Sequence, residues 1–232
     1  SIAELEDEID TNQQQRDELL ETLSNLTVTA PFSGRIVDLS VEEGDDVMSG
    51  TVLAQLVDDS KMTLTQYFSY AYEDEIYVGM KASLSIPSLM RSFDGTVTEI
   101  QKVDRVTAEG TRCFAVTVTV ENPGALAEGM TGAGYLVSDS GESIYPAVEG
   151  ALEYYDSETL TAEASGELTY VGVVDYQRVS AGEALFTVDG ADYQTQLESV
   201  ERKLTQAQER IVTYEEQIAQ VEEDRANYAV TA

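Results

Sequence analysis

The chain has no histidine and no tryptophan, one cysteine, four prolines, and 13 basic residues among 232. Without histidine, a His-based metal site and a Ser–His–Asp triad are both excluded. A lone cysteine excludes an internal disulfide and leaves the redox compartment open. Cys113 sits in "TRCFAVTVTV", an alternating strand pattern, and nothing is there to activate it. It reads as a small buried residue rather than a nucleophile. The 13 Lys and Arg face 44 Asp and Glu, which leaves a formal charge of −31. A body this acidic repels phosphates, which argues against nucleic-acid binding and against lying flat on anionic lipid. The plainest reading of the charge is solubility in an exposed setting. No apolar run of about 18 residues is present, so nothing reads as a membrane-spanning helix. No signal-peptide pattern stands at Ser1. The chain begins inside a helical pattern and stops at "NYAVTA", and we expect it to be a fragment of a longer protein.

Two stretches carry the same β pattern. "TAPFSGRIVDLSVEEGDDVMSGTVLAQL" (29–56) and "TAEASGELTYVGVVDYQRVSAGEALFTV" (161–188) align without a gap at an offset of 132. Gly34 falls on Gly166, Val41 on Val173, Val47 on Val179, Gly50 on Gly182 and Leu53 on Leu185. In both, glycines punctuate short aliphatic runs, as tight turns between strands require. One position breaks the match. Tyr176 stands where Gly44 stands in the first copy, which predicts a different turn there.

The flanks are helical. Ile2, Leu5, Ile9, Asn12, Arg16, Leu19, Leu23 and Leu26 step by threes and fours, a coiled-coil seam weakened in its middle by Asn12 and Arg16. Residues 191–227 lack both Gly and Pro. Their seam runs through Leu197, Val200, Leu204, Ala207, Ile211, Tyr214, Ile218 and Val221 without a slip. As a straight helix this stretch would span about 55 Å. The two seams share a phase at an offset of 202, and each leads into "VTA", at Ala30 and at Ala232. That is compatible with one period of a tandem array. Between the repeats, residues 62–68, 82–86, 93–101, 113–120 and 133–137 read as strands, and 139–148 as a polar hinge.

These motifs together resemble the membrane fusion protein family, the adaptor subunits of bacterial exporters of the haemolysin-secretion and macrolide-exporter types. "VTAPFSGRIVDLSVEEGDDVMSGTVLAQLVD" resembles the second half of the family's biotinyl/lipoyl-type barrel-sandwich domain. "GALEYYDSETLTAEASGELTYVGVVDYQRVSAGEALFTVDG" resembles the first half. The segment from "KMTLTQYF" to "GAGYLV", with Gly79–Lys81, "FDGTV" and Asn122–Met130, is similar to the family's β-barrel domain. The order here, second half then barrel then first half, departs from that of a usual adaptor. It reads as a circular permutation or as the junction of two tandem modules. Each half should then seek a partner half, either the other one or a copy elsewhere.

The expected fold class is mainly β with long α-helical coiled-coil arms: barrel-sandwich (lipoyl-like) halves plus a β-barrel domain. The expected divisions are a helix at 1–26, a second-half lipoyl-like unit at 27–59, the barrel at 60–138, a hinge and first-half unit at 139–189, a helix at 190–227, and the start of a further strand at 228–232. Local pattern favours a continuous second helix, whereas the resemblance implies a return somewhere.

Four motifs invite a functional reading. Lys61 in "DSKMTL" superficially suggests a biotin or lipoyl acceptor, but it follows the strand set instead of capping a hairpin between the halves. Carboxylates at Glu42, Glu43, Asp45 and Asp46 are neighbours on a turn, not a facing acid–base pair. Neither "EEGDDV" nor "DSGES" has the spacing of a known calcium loop. The tyrosines in "YFSYAYEDEIY" read as strand faces before they read as a partner patch. We therefore expect a protein without catalytic, cofactor-binding or metal residues. The resemblance implies a non-enzymatic extracytoplasmic adaptor, membrane-anchored through a segment outside this sequence. Its partners would be an ABC-type permease with its ATPase, and other copies of itself. The candidate assembly loop is Glu42, Glu43, Gly44, Asp45, Asp46 and Val47. The competing expectation is a cell-surface spacer built from tandem modules.

Overall fold

The computed structural model describes residues 1–230, with side chains at all of them except 103, 104 and 227–230. In chain order the elements are α1 (Ile2–Ser24), β1 (Thr27–Thr29), β2 (Gly34–Val37), β3 (Asp46–Val47), β4 (Val52–Ser69), β5 (Lys81–Ile86), β6 (Arg91–Val106), β7 (Arg112–Glu121), β8 (Thr131–Val137), β9 (Ser143–Ile144), β10 (Gly150–Thr161), β11 (Gly166–Val171), β12 (Arg178–Val179), β13 (Ala184–Val188) and α2 (Ala191–Val230). The architecture is mixed. Two long terminal helices pack together and flank antiparallel sheets, one of which curls into a half-barrel.

One body has two facing four-strand layers, β1-β13-β11-β3 and β10-β4-β2-β12. The sequence offset of 132 becomes an approximate dyad here. β1 falls on the end of β10, β2 on β11, β3 on β12, and the start of β4 on β13. Every pairing in one layer has its counterpart in the other. The hydrogen bonds follow the same rule. Ala30 N–H donates to the Glu183 carbonyl at 2.9 Å, and Ala162 N–H to that of Thr51 at 2.9 Å. Ala181 N–H donates to Ser33 Oγ at 2.9 Å, and Ser49 N–H to Ser165 Oγ at 3.0 Å. Ile36, Val47, Leu53 and Leu56 from the first copy share one buried core with Leu168, Val179, Leu185 and Phe186 from the second. The two halves therefore complete each other within one chain.

The other body is the curled sheet β4-β7-β6-β5-β8, with β10 pairing to both β8 and β4. Strict alternation builds it: Met62, Leu64 and Phe68 of β4 point inward, as do Phe114, Val116, Val118 and Val120 of β7. Outward threonines form a ladder, with Thr65 and Thr117 hydroxyls 3.1 Å apart and those of Thr98 and Thr119 2.9 Å apart. Gln66 is the polar member of the inward set, fully buried, with neither side-chain polar atom hydrogen-bonded. It lies over Gly134, where a Cβ would come within 2.6 Å of its Oε1.

Two divisions expected from sequence fall differently. The boundary at 59/60 lies inside β4, which runs unbroken through both bodies, as does β10. The stretch 139–148, read as a hinge, is pinned to the curled body. Ile144 pairs with Leu136, and Tyr67 N–H donates to the Val148 carbonyl at 3.1 Å. Polar composition suggested a hinge, but main-chain pairing holds the segment.

The helices leave the two-sheet body side by side. Val188 N–H donates to the Leu26 carbonyl at 2.9 Å, so the end of α1 and the start of α2 are tied at the same place, and the pair is antiparallel. Helix α2 is continuous to Val230. A strand expected from 228 is thus helix as far as 230, and residues 231–232 lie outside the described residues.

Candidate assembly surfaces

The loop at 42–47 is built by its own backbone. Glu42 N–H donates to Asp45 Oδ2 at 2.8 Å, and Asp45 N–H to the Glu42 carbonyl at 3.2 Å. Gly44, at φ +95°, turns the chain so that its N–H reaches the Leu168 carbonyl at 2.8 Å. Val47 is buried, and Asp46 pairs opposite Glu167 in β3–β11. Glu42, Glu43, Asp45 and Asp46 are all exposed. Among the described residues no three acidic or sulfur groups converge into a metal-holding cluster.

The dyad-related loop at 174–179 corrects one expectation. Tyr176 was expected to force a different turn, yet the turn is the same. Val174 N–H donates to Gln177 Oε1 at 3.1 Å, Gln177 N–H to the Val174 carbonyl at 3.1 Å, and Tyr176 N–H to the Ile36 carbonyl at 2.8 Å. Tyr176 adopts φ +64°, accepting the left-handed conformation that Gly44 takes freely. Three fixed hydrogen bonds outweigh the steric cost, about 1–2 kcal/mol for a non-glycine residue there. The two loops thus share a backbone and differ in character. One presents four carboxylates, and the other presents Val174, Tyr176 and Arg178, all exposed.

The seam of α2 divides in two. Val200, Leu204 and Ala207 are buried, with Leu197 and Ile211 half-buried, against Leu5, Ile9, Asn12 and Leu19 of α1. Asn12, the polar intrusion, satisfies itself by donating its Nδ2 to the Glu8 carbonyl at 2.8 Å. Beyond that level Tyr214, Ile218 and Val221 are exposed, the last two at 50% and 58%. Within this sequence α1 spans 23 residues and α2 spans 40. At 1.5 Å per residue, α2 extends about 25 Å past its partner.

The foot of α2 is fixed to the two-sheet body. The Tyr193 hydroxyl accepts from Ser165 N–H and donates to the Ser165 carbonyl, both at 3.0 Å. Just before the helix, Asp189 Oδ1 accepts from Ala191 N–H at 3.0 Å and so satisfies the first free N–H of α2.

The other singled-out residues sit as follows. Lys61 lies inside β4, 3.5 Å from Glu121 and over the Tyr155 ring. Cys113 is buried at the start of β7, and that burial pushes its thiol pKa up. Of the tyrosine cluster, Tyr67 lies under the Arg105 guanidinium at 4.2 Å, Tyr70 packs edge-on against Phe114, and Tyr72 and Tyr77 are exposed. A polar, open cleft of about 510 Å³ separates β1 from β10, lined by Thr27, Thr29, Glu158, Thr161 and Glu163 among others.

Sequence reasoning missed one charged group altogether. Asp59 forms ion pairs with Arg35 at 2.8 Å and with Arg178 at 3.0 Å, joining three strands. The available signal was the pair Asp58–Asp59 interrupting an otherwise apolar and alternating β4. Compared with known protein families and with curated proteins, the chain matches none.

Proposed function

We propose that this chain is part of an extracytoplasmic adaptor, a membrane fusion protein, of an ABC-type or related exporter. The observation that carries the reading is the dyad-related two-sheet body. Its two halves come from distant parts of the chain, and each continues directly into one of two antiparallel helices. In this reading the two-sheet body is a barrel-sandwich of the lipoyl type, and the curled sheet is the adaptor's β-barrel. The work done is assembly, not chemistry. The body would pack against neighbouring copies through loops such as Glu42–Val47, while the helices carry the structure away from the membrane. The match of the two helical seams at an offset of 202, each leading into "VTA", favours the second reading, a tandem-module surface spacer.

Purification of the full-length protein in mild detergent, followed by mass spectrometry, separates the two. Stoichiometric recovery of a permease and its ATPase is the expected result for the adaptor. Recovery of the protein alone, or with wall components, would leave the spacer.

A further inference from the structure

The two β bodies meet at Asp59. Their cores are separate, and the substantial contacts between them run through β4 and β10. Both strands of this ribbon are continuous there, but their pairing slips at the joint. Its register passes from Tyr154↔Met62 to Asp156↔Asp58, skipping one residue of β10 and three of β4. A bulge of this kind interrupts the ladder and bends the strand.

The side chain and the backbone of Asp59 are held by different bodies. Its carboxylate pairs with Arg35 of β2 and Arg178 of β12, both in the two-sheet body. Its carbonyl accepts from Asn122 Nδ2 at 2.9 Å, and the Ser60 carbonyl from Asn122 N–H at 2.9 Å, at the end of β7 in the curled body. Arg35 and Arg178 stand directly opposite each other in the β2–β12 pairing. Like charges so placed repel, and the one carboxylate between them offsets that repulsion. The group is not saturated. Arg35 Nε is buried with no hydrogen-bond partner, and Arg178 meets Asp59 Oδ1 at ion-pair distance without an aligned hydrogen bond. Release would therefore return Arg35 Nε to water, which lowers the cost of opening.

We propose that Asp59, Arg35 and Arg178 form an ionic latch that sets the angle between the two-sheet body and the curled body, with the ribbon at 59–61 as its hinge. The latch does not depend on the adaptor reading. Its test is the distance distribution between spin labels on cysteines replacing Glu43 and Glu109, in a Cys113→Ala background. The latched protein gives one narrow distribution. Arg178→Gln and Asp59→Asn each broaden it roughly twofold, by shifting the population toward open states. Hydrogen exchange at Val116 and Leu185 stays unchanged, showing both bodies intact. Should Asp59→Asn loosen the β2–β12 pairing through Arg–Arg repulsion, the double variant Asp59→Asn/Arg178→Gln removes that repulsion and still broadens the distribution. Distributions that superpose on the parent in Arg178→Gln and in the double variant overturn the latch. So does a parent distribution already as broad as theirs.

Discussion

The halves at 29–56 and 161–188 fold onto the same backbone with different surfaces. Gly44 and Tyr176 occupy one turn position, and four carboxylates in one loop stand where Val174, Asp175, Gln177 and Arg178 stand in the other. The main-chain bonds to Ile36 and Leu168, and the burial of Val47 and Val179, are the same in both. The turn is thus set by what the backbone must satisfy and by one inward valine, while the outward residues diverge. Where the halves meet inside the core they differ in a complementary way: Phe186 is the dyad mate of Ala54, both fully buried. A large side chain in one half fills space that a small one leaves in the other.

That pairing is the first place to break the comparison. Phe186→Ala should cost about 3–5 kcal/mol, because its dyad mate is too small to close the cavity. Urea unfolding followed by circular dichroism reads the loss, and hydrogen exchange places it in the two-sheet body. Next, Val47→Ala and Val179→Ala should cost equal amounts, each about 1.5–3 kcal/mol. Both valines are equally buried, at 5% exposure. Unequal losses would show that the dyad is one of backbone only. The turn variants should have opposite signs. Gly44→Ala should lose about 1 kcal/mol, and Tyr176→Gly should gain up to about 1 kcal/mol as the left-handed strain is relieved. Thermal melts of the two variants against the parent check the signs. Smallest is Ile218→Ser on the uncovered part of α2, expected within about 0.5 kcal/mol of the parent. The seam residue Leu204, replaced by Ala, should cost about 2–4 kcal/mol in the same assay.

Much of this was legible in the sequence, for a physical reason. Glycine spacing and aliphatic alternation are local, so the offset of 132 already held the dyad. The helices, and the five strands from β4 to β8, were legible the same way. What escaped was non-local. Which half pairs with which is decided by contacts between residues such as Thr27 and Thr187, and no periodicity records them. The continuity of β4 was hidden by Asp58, Asp59 and Ser60, where the polar run suggested the boundary at 59/60, whereas Asp59 is held in the strand by two arginines from distant strands. The Tyr176 turn was misread because steric preference is visible in one residue, while the bonds that override it come from Ile36 and from Gln177.

The pairing of β1 with β13 also sets an order of events during synthesis. The curled core draws most of its residues from one contiguous stretch, Met62 to Leu136, and can begin to collapse once that stretch is available. The two-sheet core cannot close until Phe186 and Val188 have been made. Until then Ile36, Leu53 and Leu56 lack Leu185, Phe186 and Val188, the β13 part of their shared core. A nascent chain arrested before residue 184 should therefore carry one finished body and one sticky half-body. That interval is when a chaperone would find most to hold.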